Sequence, residues 1–248
     1  MRTTTKLKGI MAGRTAVTVP GAANALFARV IEDLGFEVVY VTGAGVANMP
    51  LGAPDVGLTT LTELAGVTAA IADSVTLPII VDADTGFGNP VNMARTIRVL
   101  ERAGAAGVQI EDQVFPKKCG HFEGKEVIPV REMVQKIKAA VDSRCDGDFQ
   151  IIARTDAREL PVPQVANIVF GGKTPDPGRR ALADMGFSIV LYANAALQAA
   201  LRASYEVLGA LKASGSLVSV AERLASFEER QRAVAKHHWD ALEARYKS

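Results

Sequence analysis

Cysteine is nearly absent: Cys119 and Cys145 are the only two in 248 residues, in the unlike surroundings KKCGH and SRCDGD. That excludes a disulfide framework. With only three histidines, the Cys and His residues are also too few and too scattered for a structural zinc site. Neither sign of charge prevails, with 28 Lys plus Arg against 27 Asp plus Glu. A net charge of +1 offers no electrostatic footprint for nucleic acid or an anionic membrane. No apolar run is long enough to span a bilayer. The opening MRTTTKLKGIMAGRTAV has basic residues but no apolar core followed by a cleavage site, so it does not read as a secretory signal. What is present is ordinary core material, 48% hydrophobic and 22% charged, in a chain close to the ~250 residues of one (β/α)₈ barrel. The expectation is a cytoplasmic, reduced protein with one barrel domain over residues 1–248.

Apolar runs rich in Val and Ile alternate with segments of helical period. TAVTVP, EVVYVTGAG, LPIIVDAD, AGVQIED, FQIIARTD, VPQVANIV and FSIVLYAN have the composition of strands buried on both faces. Helices are expected over Ala22–Leu34, Leu61–Val75, Val91–Ala103, Val130–Ser143 and Pro177–Met185. Gly35, Gly104 and Gly186 stand where a left-handed residue would close three of them. Thr60 and Glu63 form a capping-box pattern. This βαβα order implies a parallel α/β fold. Polar groups end nearly every strand: Tyr40 and Thr42, Asp82 and Asp84, Glu111 and Asp112, Arg154 and Asp156, and Asn167. Chemistry gathered from many strand ends favours a closed barrel over an open sheet with one phosphate loop. One join conflicts with this. Ala157–Pro161 is five residues, and a parallel crossover needs a dozen or more. Either the two runs it joins are not neighbouring parallel strands, or about one strand–helix unit is absent between Arg158 and Pro161. Either the chain breaks there or the ring is incomplete.

Two segments carry candidate chemistry. In VDADTGFGN, Asp82 and Asp84 lie two apart at a strand end, so both carboxylates point to one side and suit a hard divalent cation such as Mg²⁺. The competing reading is one helix cap and one solvated acid. Glu111 and Asp112 bring further carboxylate to the same rim. In FPKKCGHFEGKEV, Cys119 lies beside Lys117, Lys118 and His121, all of which favour its thiolate. Gly120 and Gly124 suit a lid. The alternative is a solvated basic loop. Arg154 suits a substrate carboxylate or an ion pair with Glu111 or Asp156. Asn167 suits a substrate contact or a turn. Cys145 reads as a loop residue, and His237-His238-Trp239 as packing or interface.

Together, VDADTGFGN, IEDQVFPKKCGH and IIARTDAR, in that order, resemble the isocitrate lyase / phosphoenolpyruvate mutase superfamily, closest to its 2-methylisocitrate and 2,3-dimethylmalate lyase branch. The likeness runs from about Ala16 to Ala157 and resumes at Pro161. It implies a (β/α)₈ barrel whose C-terminal helix, here residues 219–246, is exchanged in a homodimer or homotetramer. It implies Mg²⁺, or Mn²⁺, held by Asp82 and Asp84 with Asp55 and Glu111. Tyr40, Thr42, Gly43 and Ala44 would cradle a 2-oxo acid, and Arg154 and Asn167 would bind substrate carboxylates. Lys117, Cys119 and His121 would ride a gating loop, with Cys119 as general acid. Relatives carry one more strand where Arg158 meets Pro161, ending in a glutamate that this sequence lacks. The implied reaction is cleavage of a 2-hydroxy di- or tricarboxylic acid. Oxaloacetate hydrolysis or decarboxylation, and carboxyphosphonate or phosphonopyruvate chemistry, are alternatives on the same scaffold. An inactive assembly subunit is the alternative of another class. No nucleic acid or membrane partner is expected.

Overall fold

A computed structural model describes residues 1–117, 126–154, 162–172 and 174–246. The chain forms two compact units, Met1–Ala195 and Ala196–Ser248.

The first unit holds all seven strands at the expected places: β1 (Val17–Ala22), β2 (Val39–Val41), β3 (Ile79–Asp82), β4 (Gly107–Glu111), β5 (Gln150–Arg154), β6 (Gln164–Asn167) and β7 (Phe187–Tyr192). Every pairing is parallel, in the order β5-β4-β3-β2-β1-β7-β6. The five expected helices appear as α2 (Ala25–Asp33), α4 (Leu61–Ser74), α5 (Pro90–Arg102), α6 (Val130–Ser143) and α7 (Arg179–Asp184). Thr60 and Glu63 form the reciprocal capping box. Gly35, Gly104 and Gly186 take the positive φ that lets the backbone leave a helix without a Cβ clash.

Two further helices of this unit were not anticipated. α1 (Thr3–Gly13) inserts Leu7 and Met11 among Val19, Tyr40, Ile80 and Leu191, plugging the inside of the curled sheet. α3 (Gly43–Leu51) begins where the sequence pattern extends β2, because Thr42 turns the chain: its Oγ1 accepts from Gly45 N at 3.3 Å as an N-cap.

Side-chain alternation separates two layers. Val39, Val41, Ile79, Val81, Val108 and Ile110 face outward against α2, α4, α5 and α6. Burying each such side chain contributes about 1.5–3 kcal/mol. Val19, Tyr40, Ile80, Gln109, Ile152, Val165 and Leu191, one from each strand, surround a common interior. The sheet therefore curls as a barrel wall does.

Among the described residues it does not close by pairing. β5 pairs with β4 alone and β6 with β7 alone. These two edges flank the short join, which lies outside the described residues. The sheet is thus a seven-stranded partial barrel rather than a (β/α)₈ ring, as the join's length anticipates. Its edge is under-covered: β4 is buried at all five positions, whereas β5 is buried at none and Ala153 is exposed.

The second unit carries most of α8 (Ala195–Ser214), then a 3₁₀ turn (Val218–Arg223), α9 (Phe227–Ala233) and α10 (Lys236–Tyr246). Residues 219–246 are therefore not one helix. Ala235, at φ 51°, interrupts the right-handed path between α9 and α10. No residue of α8, the turn, α9 or α10 is buried. No helix among the described residues is long and apolar enough to cross a membrane.

Candidate active site

The alternation that faces Tyr40, Ile80, Gln109, Ile152 and Val165 inward carries two residues further along to the C-terminal rim. There it points Asp82, Glu111, Arg154 and Asn167 the same way. The register places these groups side by side, with Asp82 opposite Gln109 and Glu111 opposite Arg154. The expected rim residues are thus brought together by strand geometry.

Asp84 lies just beyond β3 with φ 48°, a left-handed conformation that is uncommon for a residue with a side chain. Its N–H donates to Asp82 Oδ1 at 3.3 Å, which folds the two carboxylates into one turn. The start of α3 closes over them. A Cβ added at Gly43 would lie 3.3 Å from both Asp82 Oδ2 and Asp84 Oδ1, so a larger residue would crowd the acids.

Lys117 is 4% exposed, and its Nζ lies 2.5 Å from Asp55 Oδ1 and 2.7 Å from Asp84 Oδ1. At 2.7 Å the ammonium meets Asp84 Oδ1 as a buried ion pair, which favours the charged form of both groups. Burial opposes the ammonium charge, but Asp84, Asp82 and Asp55 outweigh burial and raise the Lys117 pKa. Asp84 is pushed up to about 8, first by burial and then by the charge of Asp82, against the pull of Lys117. Burial and then Asp82 also raise Glu111, while Arg154 pulls it down from 3.3 Å. Tyr40 is raised well above the usual phenol range by burial and by Asp82, so it keeps its proton.

The remaining expected residues divide. Thr42 serves as the N-cap and also donates to Asn194 Oδ1 at 3.2 Å. Gly43 and Ala44 form the first turn of α3. Asn167 keeps a buried Oδ1 without a partner, a free acceptor on the inner wall. Cys119 and His121 lie outside the described residues, and Cys145 is exposed. Asn194 was missed, although it closes the FSIVLYAN run in the same way that Asn167 closes its own strand.

The donor set suits a hard cation. Asp82 and Asp84 face one locus, and all the nearby acids supply oxygen. The expected four-carboxylate shell is not assembled as such. Among the described residues no three His, Cys, Asp or Glu side chains converge on one ligand point. Asp55 and Asp84 close on Lys117 instead. A cation with few direct protein ligands and several waters fits the Asp82–Asp84 pair.

The chain is 39% identical to the 2,3-dimethylmalate lyase of Eubacterium barkeri, over 92% of this chain and 93% of that one. It is 36% identical to the 2-methylisocitrate lyase of Aeropyrum pernix, over 96% and 89%. Its fold superposes on a crystal structure of 2,3-dimethylmalate lyase with a TM-score of 0.91, at 29% identity, covering 100% of this chain and 96% of that one. It superposes on phosphonopyruvate hydrolase complexed with oxalate and Mg²⁺ with a TM-score of 0.89, at 26% identity, covering all of both. The alignment to the E. barkeri enzyme runs over 268 positions while covering 92% of 248 residues, about 228, so about 40 positions have no counterpart here. The A. pernix alignment, 277 positions over 96% of the chain or about 238 residues, leaves about the same number. About 40 residues is the size of one strand–helix unit with its connections. A family model for phosphoenolpyruvate phosphomutase matches residues 7–166. This chain belongs to that family of enzymes, within the PEP mutase/isocitrate lyase superfamily.

Proposed function

We propose that this chain is a magnesium-dependent carbon–carbon lyase. It cleaves a 2-hydroxy di- or tricarboxylic acid to an α-keto acid and a carboxylate, with Mn²⁺ able to replace Mg²⁺. The observation that carries the reading is the Asp82–Asp84 pair of carboxylates turned to one locus under the start of α3, beside a phenol that keeps its proton. The relatives named as lyases, and the neighbour complexed with Mg²⁺, support it.

Asp82 and Asp84 would hold the ion, with Asp55 and Glu111 reaching it through water. When bound, it supplies Lewis acidity toward the hydroxyl and carboxylate oxygens of the substrate. The backbone N–H groups of Gly43 and Ala44, at the positive end of α3, receive the 2-oxo acid portion. Arg154 turns from Glu111 to a substrate carboxylate, and Asn167 offers its carboxamide to the same end. Tyr40 Oη keeps its proton and donates it as a hydrogen bond to the oxygen that becomes the carbonyl. As the hydroxyl proton passes to the Glu111 carboxylate, whose proton affinity burial raises, the C–C bond breaks and its electron pair passes to the α-carbon of the departing carboxylate. Cys119 Sγ then gives its proton to that carbon, and His121 favours the resulting thiolate, while Lys117 is held on Asp55 and Asp84.

A panel of such acids, assayed with Mg²⁺ for released pyruvate, glyoxylate or oxaloacetate, tests this. Turnover should vanish on chelation and in Asp82→Ala. Turnover that survives both would overturn the metal assignment. Oxaloacetate and phosphonopyruvate belong in the panel, since hydrolase and mutase chemistry use the same scaffold. The open ring between β5 and β6 favours one rival: an assembly subunit that turns over nothing in the panel yet folds and oligomerises. We place the enzyme in the cytoplasm as a homodimer or homotetramer. Exposed Tyr205, Phe227, Trp239 and Tyr246 in the second unit suit packing on another copy.

A further inference from the structure

Four consecutive carbonyls form the turn that presents Asp84, and each has its own donor. Ala83 O accepts from Gly86 N at 2.8 Å, and Asp84 O from Glu111 N at 2.8 Å. Thr85 O accepts from Lys136 Nζ at 3.2 Å, and Gly86 O from Thr96 Oγ1 at 3.0 Å. The first two donors belong to the sheet side of the turn. The last two reach in from α6 and α5, behind it.

Lys136 is the anomaly. It is 3% exposed, inside a helix packed on the outer face of the sheet, and burial lowers its pKa. A buried ammonium is normally matched by a carboxylate, because losing its hydration is costly. Here its hydrogen bond goes to a backbone carbonyl one residue from Asp84. Glu132, one turn earlier on α6, is the charged neighbour that offsets its burial. A methionine would fill the same space without that cost. Retaining a lysine makes sense where a strong donor must pin a peptide, and Asp84 at φ 48° is a residue that needs pinning.

We propose that Lys136 is a positioning residue: reaching from α6, it holds the Thr85 carbonyl and so fixes Asp84 at the cation site. This rests on the metal reading proposed above.

Calorimetric titration of Mg²⁺ into the metal-free full-length chain tests it. Lys136→Met should keep its helical circular dichroism and melt cooperatively, yet bind Mg²⁺ at least about 10-fold more weakly. Lys136→Arg, which keeps a charged donor, should stay within about 3-fold of the parent. A purely structural strut would alter the melt and leave the Mg²⁺ affinity of the folded protein unchanged. Lys136→Met binding Mg²⁺ as the parent does overturns the proposal. Should Lys136→Met not fold, Lys136→Gln takes its place. It is one atom shorter, leaves the Thr85 carbonyl out of reach and carries the same expected and overturning results. If the parent itself takes up no Mg²⁺, the metal reading fails and this proposal with it, an outcome distinct from equal affinities in parent and variant.

Discussion

In the metal-free protein, Asp84→Asn should make stability less sensitive to pH. A pKa of about 8 in the folded chain, against an ordinary carboxylate value near 4 when unfolded, means that folded Asp84 holds a proton over a window where the unfolded chain has lost it. The folded state then binds more protons, so stability falls as pH rises from about 4 to about 8. Each pH unit inside that window is worth up to about 1.4 kcal/mol. Between pH 5.5 and 8 the penalty comes to about 3 kcal/mol, an upper figure because Lys117 shares the charge. For a chain of this size that is a drop in Tm of roughly 6–12 °C. Thermal melts in EDTA across this range should therefore decline more steeply for the parent than for Asp84→Asn, whose amide does not titrate. Added Mg²⁺ should restore the parent at pH 8 and leave the variant unmoved, since a cation stabilises the state that binds it. Parallel Tm–pH profiles in EDTA would refute the reasoning and return Asp84 to an ordinary ion pair with Lys117.

Cys119→Ser should lower kcat by roughly 10²–10⁴-fold with a much smaller effect on KM, as expected of a lost general acid; near-normal kcat would leave that loop without one. Grafting the roughly 40 residues that the E. barkeri relative has in excess, between Ala157 and Pro163, should supply a strand that pairs with both β5 and β6. The graft should melt at higher temperature and exchange the β5 amides more slowly. An unchanged melt and unchanged exchange would mean that the edge is already satisfied in another way. Thr60→Ala should cost about 1 kcal/mol through loss of the α4 cap, read from urea unfolding.

All seven strands were legible because each lies in a short run rich in Val and Ile, and Val130–Ser143 was legible to the residue because its period and its flanks agree. The shortfall at Ala157–Pro161 could also be read, since chain length alone limits what a connection can cross. Asp82, Glu111, Arg154 and Asn167 could be placed at one rim, because a strand's alternation is local. Other features depended on residues distant in sequence. α1 is weakly patterned, and its role as a plug appears only where Leu7 and Met11 meet the curled sheet. Lys117 reads as one of several loop cations, and only the fold closes it on Asp55, 62 positions earlier, and on Asp84. In a helix sequence Lys136 looks like any solvated lysine. Its burial against the Thr85 carbonyl, 51 positions away, exists only once α6 packs beside the β3 turn. Composition and periodicity therefore settled the elements and the face each turns inward. Pairing, charge partners and shifted proton affinities depend on desolvation and long-range contact, which only the tertiary structure decides.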